Sequence, residues 1–103
     1  MGEWVDVCAA DELGEGTMTV VDVGGEPVAV ARSGASLYAF ADTCTHEECS
    51  LSDGILTDTE VDCPCHGSVF DIRSGEALVG PALESVQTFA VRVEAGRIEV
   101  GER

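Results

Sequence analysis

The chain has 103 residues, of which 45% are hydrophobic and 12 are glycine. That length suits a single domain over residues 1–103 with a modest core, and the composition excludes a disordered chain. Against 5 bases stand 20 acids, a formal net charge of −15, which argues against nucleic acid and anionic membrane surfaces, since both require clustered Lys and Arg. The acidity favours a basic protein partner through opposite fields; it also suits solubility or salt adaptation, and these readings are compatible.

The first residues, MGEWVDVCAADELGEG, carry acids at Glu3 and Asp6 and no apolar run of signal-peptide length. No stretch approaches the roughly 20 apolar residues of a membrane span. The expectation is a soluble, cytoplasmic protein. Five cysteines are an odd number that fits a disulfide scaffold badly, and in a reducing compartment clustered Cys and His more often mean metal or redox chemistry.

In chain order, Trp4-Val5-Asp6-Val7 alternates as a first strand. The β-branched run Thr17–Val23 is a second, and Gly24-Gly25 supplies a two-residue turn into Pro27–Ala31. A turn at Arg32–Ala35 leads to Ser36–Phe40, so the opening reads as a β-meander. The single helix candidate, Ala9–Leu13, is one turn at most. From Asp42 to Ser68, cysteine-bearing loops alternate with short runs at Ile55–Thr57 and Glu60–Asp62; Val69–Ile72 and a turn at Arg73–Glu76 follow. Phe89–Val93, a turn at Glu94–Arg97 and Ile98–Val100 close as a hairpin. The two ends thus form a β framework, and the middle is an insert that carries the chemistry.

That insert holds CTHEEC at 44–49 and CPCHGS at 63–68, which together contain four of the five cysteines and both histidines. Cys44 and His46 form one chelating pair, Cys63 and His66 a second. Three metal readings compete. Zinc in a closed Cys2His2 site needs only tetrahedral geometry. An all-cysteine [2Fe–2S] cluster has the x4 spacing of Cys44 and Cys49 in its favour, but lacks the next Cys of the plant-type pattern. A cluster with two Cys on one iron and two His on the other takes one Cys and one His from each loop.

CTHEEC and CPCHGS closely resemble the two signature loops of the Rieske family, and the resemblance covers most of the chain. It implies an all-β fold: an antiparallel β-sandwich with an inserted cluster-binding subdomain, about residues 42–82, at its tip. It implies one Rieske [2Fe–2S] cluster per chain, with Cys44 and Cys63 on one iron and His46 and His66 on the other. Gly80-Pro81 looks like the family's third, proline-containing loop, with Pro81 shielding the cluster. Two thiolates cancel the charge of two ferric ions and two sulfides, so the oxidised centre is neutral, whereas four thiolates would leave it dianionic; an electron is therefore accepted at higher potential.

Further residues take roles from the same resemblance. Ser68 follows Gly67 as in high-potential members, where the hydroxyl donates to a bridging sulfide. Phe70 stands where those members carry a Tyr that donates to a Cys sulfur, and Phe has no donor. A lower or intermediate potential is expected. Cys49 and Cys65 fall where respiratory members have an inter-loop disulfide, a pair that many ferredoxins of the family lack; a disulfide and two free thiols are both open. Cys8 reads as an ordinary small core residue.

Free-standing chains of this kind resemble the ferredoxin components of bacterial Rieske-type ring-hydroxylating oxygenases, implicated in aromatic hydrocarbon catabolism. The resemblance implies a monomeric one-electron carrier, not itself an enzyme. Electrons would pass from an NAD(P)H-dependent flavoprotein reductase to a terminal oxygenase. The alternative is a small Rieske-like subunit of a nitrite reductase or another oxidoreductase complex. A respiratory subunit that meets quinol would need a membrane anchor.

Overall fold

The computed structural model describes residues 3–44, 49–65, 67–80 and 84–101. Among them the chain forms three antiparallel sheets and no α-helix. Strands β1 (Trp4–Ala9), β10 (Val91–Glu94) and β11 (Arg97–Gly101) make the basal sheet, in the order β1-β11-β10. The central sheet contains β2 (Met18–Val23), β3 (Glu26–Ser33), β4 (Ser36–Ala41) and β9 (Thr88–Phe89), in that order. Between β4 and β9 in sequence lies the third sheet, β5 (Ile55–Thr57), β6 (Glu60–Asp62), β7 (Val69–Asp71) and β8 (Ala77–Val79), a simple up-and-down meander.

Strand β3 sets the layering. Side chains of a strand alternate between faces, and here both faces are buried. Val28 and Val30 pack with Ile98 and Val100 in the basal core. Ala29 and Ala31 pack with Phe40, Val61, Phe70 and Ile72 in a second core beneath the third sheet. The larger residues face the basal sheet and the small ones admit Phe40 and Phe70, both fully buried. Phe89 touches both cores.

Two expectations need correction. The opening meander holds for β2–β3–β4, but β1 leaves it and pairs with β11, Val5 opposite Val100. An N-terminal edge covered by the last strand of the chain has no local turn to announce it. The run Phe89–Val93 is not one strand: Phe89 pairs with Ala39 in the central sheet, and Val91 pairs with Val100 in the basal sheet. The chain changes sheets at Ala90, where alternation continues but the partner does not. The turn expected at Ala9–Leu13 is a 3-10 turn over Ala10–Glu12, pinned by Arg32, whose guanidinium donates to the carbonyls of Leu13 (2.6 Å) and Ala10 (2.8 Å). Strand β8 and a 3-10 turn at Leu51–Asp53 have no counterpart in the sequence reading.

The Gly24-Gly25 turn forms as expected. Both residues have positive φ, 62° and 90°, as required at the two central positions of the hairpin turn whose twist matches its strands. The register Val23 opposite Glu26 follows from it.

The N- and C-terminal strands are also clamped electrostatically. Arg97 donates through Nε (2.9 Å) and Nη2 (2.7 Å) to the two carboxylate oxygens of Asp6. These bonds hold the Asp6 carboxyl below the ordinary aspartate range. A carboxyl lowered by folding stabilises the native state above its unfolded pKa of about 3.9 and loses that contribution as pH falls through the folded value. Asp6→Asn is therefore expected to lower the urea midpoint at neutral pH, modestly, as for other exposed pairs. The deficit should close as pH drops below the aspartate range; a deficit that persists unchanged in acid contradicts an ionic origin.

Candidate metal centre

Two loops project from the ends of the central and third sheets. The first leaves β4 at Asp42, and the second joins β6 to β7. Cys44 and Cys63, the first cysteine of each, are 3% and 4% exposed and belong to the same buried cluster as Phe40, Leu51 and Phe70. Buried cysteines are common as small hydrophobes, but here each is the first cysteine of its loop, so two sulfurs from different loops are sunk in one apolar cluster. Histidines His46 and His66 and the loop residue Pro81 lie outside the described residues.

The loops close in the same way. The Cys44 amide donates to the Cys49 carbonyl at 2.9 Å, and the Cys63 amide to the Ser68 carbonyl at 2.6 Å. In each case the bond spans five residues and brings the loop back on itself just after its first cysteine. Gly67, at φ 77°, lets the second loop make this return; its amide donates to the Cys63 carbonyl at 3.2 Å. Ser68 is fully buried and is engaged by a partner within the protein. Phe70 lies opposite Val61 on the inward face of the third sheet, fully buried in the same cluster.

The cysteines Cys49 and Cys65 are joined as a disulfide, with Cα atoms 6.4 Å apart, and Cys8, Cys44 and Cys63 are outside any disulfide. The bridge links the end of the first loop to the tip of the second. Cys65 is exposed and Cys49 half-buried, so the bridge straps the loops from outside while Cys44 and Cys63 remain inside. Cys8 lies far away on β1, where burial pushes its thiol pKa up; it packs against the basal core.

Two residues that the sequence reading missed position these loops. Asp42 is 2% exposed. Its amide donates to the Pro27 carbonyl (3.0 Å), its carbonyl accepts from Leu51 (2.6 Å), and its Oδ1 accepts from the Ser52 amide (2.8 Å). Both ends of the first loop thus converge on one residue of the central sheet. Gly54 is the other. A Cβ on it would collide with the carbonyl oxygen of Asp62, the residue before Cys63. The return of the first loop therefore runs directly against the entry to the second. The available signals were an acid immediately after an apolar strand and an isolated Gly before one, both common enough to pass as turn residues.

Loops with paired buried thiols, matched hydrogen-bond closure and a histidine two residues after Cys44 and three after Cys63 in sequence fit a centre that needs two thiolates and two imidazoles. A lone tetrahedral ion would use the same four ligands; the comparisons distinguish the two. Residues 3–90 match the family model described as the Rieske [2Fe-2S] domain. Ferredoxin CarAc of Metapseudomonas resinovorans is 40% identical, over 97% of this chain and 95% of that protein. A chain in the solved complex of reduced oxygenase and oxidized ferredoxin in carbazole 1,9a-dioxygenase is 39% identical, with a TM-score of 0.91 over 95% of this chain and 92% of its own. The structure of a putative NADH-dependent nitrite reductase small subunit from Mycobacterium tuberculosis is 27% identical, with a TM-score of 0.89 over 100% of this chain and 97% of that one.

Two predictions follow from the loop geometry. Acid-stripped, denatured and unreduced protein should take up three alkyl groups, on the three cysteines outside the disulfide, and all five after reduction; five before reduction contradicts the bridge. Gly54→Ala should force the two loops apart, costing about 1–3 kcal/mol in urea unfolding and lowering the iron bound per chain. A variant with wild-type stability and iron content would show that the close approach is dispensable.

Proposed function

The chain belongs to the Rieske [2Fe-2S] domain family, and from that premise we propose that it carries single electrons from an NAD(P)H-dependent flavoprotein reductase to a terminal oxygenase in the cytoplasm. Its cofactor is a Rieske [2Fe–2S] cluster, which when bound accepts and releases one electron. The protein is an electron-transfer component and not itself the oxygenase. The observation that carries the reading is the match, over nearly the full length of both chains, to a protein named as a ferredoxin. Among the described residues no helix is long and apolar enough to cross a membrane.

In this reading Cys44 and Cys63 hold one iron, His46 and His66 the other, and residues 42–82 form the cluster-binding unit. The chain's own residues do the rest. Asp42 and Gly54 fix the two loops against each other, and the Cys49–Cys65 bridge holds their outer ends. Leu51, Phe70 and Ile72, each no more than 1% exposed, keep water from the cysteine side, which limits the reorganisation that accompanies electron transfer. Ser68 supplies a hydroxyl beside the cysteine loop, and Phe70 supplies only apolar surface. Pro81 would shield the centre from the third loop.

The nitrite reductase alternative draws on a solved small subunit that covers the chain equally well but at 27% identity, against 40% for ferredoxin CarAc and 39% for the chain of the oxygenase–ferredoxin complex. Reconstitution separates the two. With NADH, a flavoprotein reductase and a terminal oxygenase, addition of this protein should raise the rate of oxygenase reduction many-fold; an unchanged rate overturns the carrier reading. Hydrogen bonding to the cluster sulfurs tunes potential, so Phe70→Tyr is expected to raise the midpoint potential and Ser68→Ala to lower it. Protein-film voltammetry that shows no shift in either variant contradicts this assignment.

A further inference from the structure

Of the 20 acids in the chain, Asp42 is the one that is buried among the described residues, at 2% exposure. It stands at the base of the first cysteine loop, two residues before Cys44. Three rungs close that base. The Leu51 amide donates to the Asp42 carbonyl and the Ser52 amide to its Oδ1, Thr43 bridges Ser50, and the Cys44 amide donates to the Cys49 carbonyl. Ala41, Cys44 and Leu51 all belong to one buried cluster, which also contains Cys63. Two residues of chain span at most about 7 Å, so the carboxyl group is tethered close to a sulfur assigned to the cluster.

Among the described residues no cation offsets this carboxylate. The sequence contains no lysine, and each described arginine bonds elsewhere: Arg32 to the carbonyls of Ala10 and Leu13, Arg73 to Asp71, Arg92 to Glu99, and Arg97 to Asp6. The Ser52 amide answers one oxygen as a dipole and does not cancel the charge. A charge held away from water is also screened little by salt. The oxidised Rieske centre is neutral and the reduced one carries a single negative charge. A fixed anion beside it therefore opposes uptake of the electron and favours its release. At roughly 10 Å and the effective dielectric of a protein, two unit charges interact by about the equivalent of a tenfold change in an equilibrium constant.

We propose that Asp42 is a positioning residue with an electrostatic role beside its structural one: its buried charge lowers the reduction potential of the cluster and makes the protein a stronger electron donor. The proposal rests on the assignment of Cys44 as an iron ligand. It adds a second cause of lower potential to the absent hydroxyl at Phe70. The two are independent, since Phe70 acts through a missing hydrogen bond and Asp42 through charge.

Protein-film voltammetry of the cluster-loaded wild type and two variants tests this. Asp42→Asn keeps the side-chain shape and the oxygen that accepts from Ser52, and removes the charge. The control is Asp53→Asn, at an exposed acid in the return of the same loop. Asp42→Asn should raise the equilibrium constant for reduction about tenfold, a midpoint shift of ~59 mV for one electron, with the wild-type visible spectrum and iron content. That shift should persist from about 0.1 M to about 1 M salt. Any shift in Asp53→Asn should be smaller and vanish as the Debye length contracts from about 10 Å to about 3 Å. Voltammetry reads only the centres that are bound, so a variant that loads partially still reports its potential. An unchanged or lowered potential in Asp42→Asn overturns the proposal, whatever happens to stability or iron content, because the residue is then structural alone. An equal shift in Asp53→Asn, or a shift erased by salt, also overturns it, and both leave the carrier function intact. If Cys44→Ser leaves the cluster spectrum unchanged, the ligand assignment itself falls, and this proposal with it.

Discussion

Strand β3 is buried on both faces, and the rest of the molecule is arranged around that fact. Its valines close the basal core against β11, and its alanines leave room on the other side for Phe40 and Phe70. Without small residues at positions 29 and 31 the third sheet would have to stand away from the central one. The loops that carry Cys44 and Cys63 would then lose the apolar wall in which both thiols are sunk. A sheet shared between two cores makes one side of the protein a scaffold and the other a site.

The two loops are then fixed by complementary constraints. Within each loop a backbone bond spanning five residues sets its curvature. Between them, Gly54 allows backbone contact at the base, and Cys49–Cys65 joins the outer ends. Asp42 ties the first loop to β3 through the Pro27 carbonyl and to its own return through Ser52 and Leu51. A buried carboxylate oxygen that accepts an amide hydrogen bond answers a donor that would otherwise be orphaned. A site built this way changes little when an electron arrives, which suits a carrier. The acidic surface, with its described arginines turned to internal partners, governs which proteins it meets.

Much of this was legible in the sequence because the relevant rules are local. Gly24-Gly25 specified its hairpin through positive φ, and alternation or β-branching located β2, β3, β4 and β11. The spacing of Cys and His in the insert, with the resemblance it carried, pointed to the family. What was not legible depended on contacts between distant segments. The pairing of β1 with β11 has no nearby turn, and the sheet change at Ala90 falls within an unbroken alternation. Asp42 and Gly54 acquire their roles only when residues 10 or 8 positions away fold back onto them. The short strand β8, with a bulge in its pairing to β7, has too few residues for a period to show.

The central claim is that two thiolates bind one iron and two imidazoles the other. Electron–nuclear double resonance of the dithionite-reduced protein, prepared with ¹⁵N-labelled histidine, tests it most directly. The account predicts hyperfine couplings from two histidine nitrogens on a single reduced binuclear centre, with neither coupling present when the label is confined to the backbone. A reduced cluster that shows no histidine coupling would contradict it, as would a protein that binds zinc in place of iron and gives no paramagnetic signal.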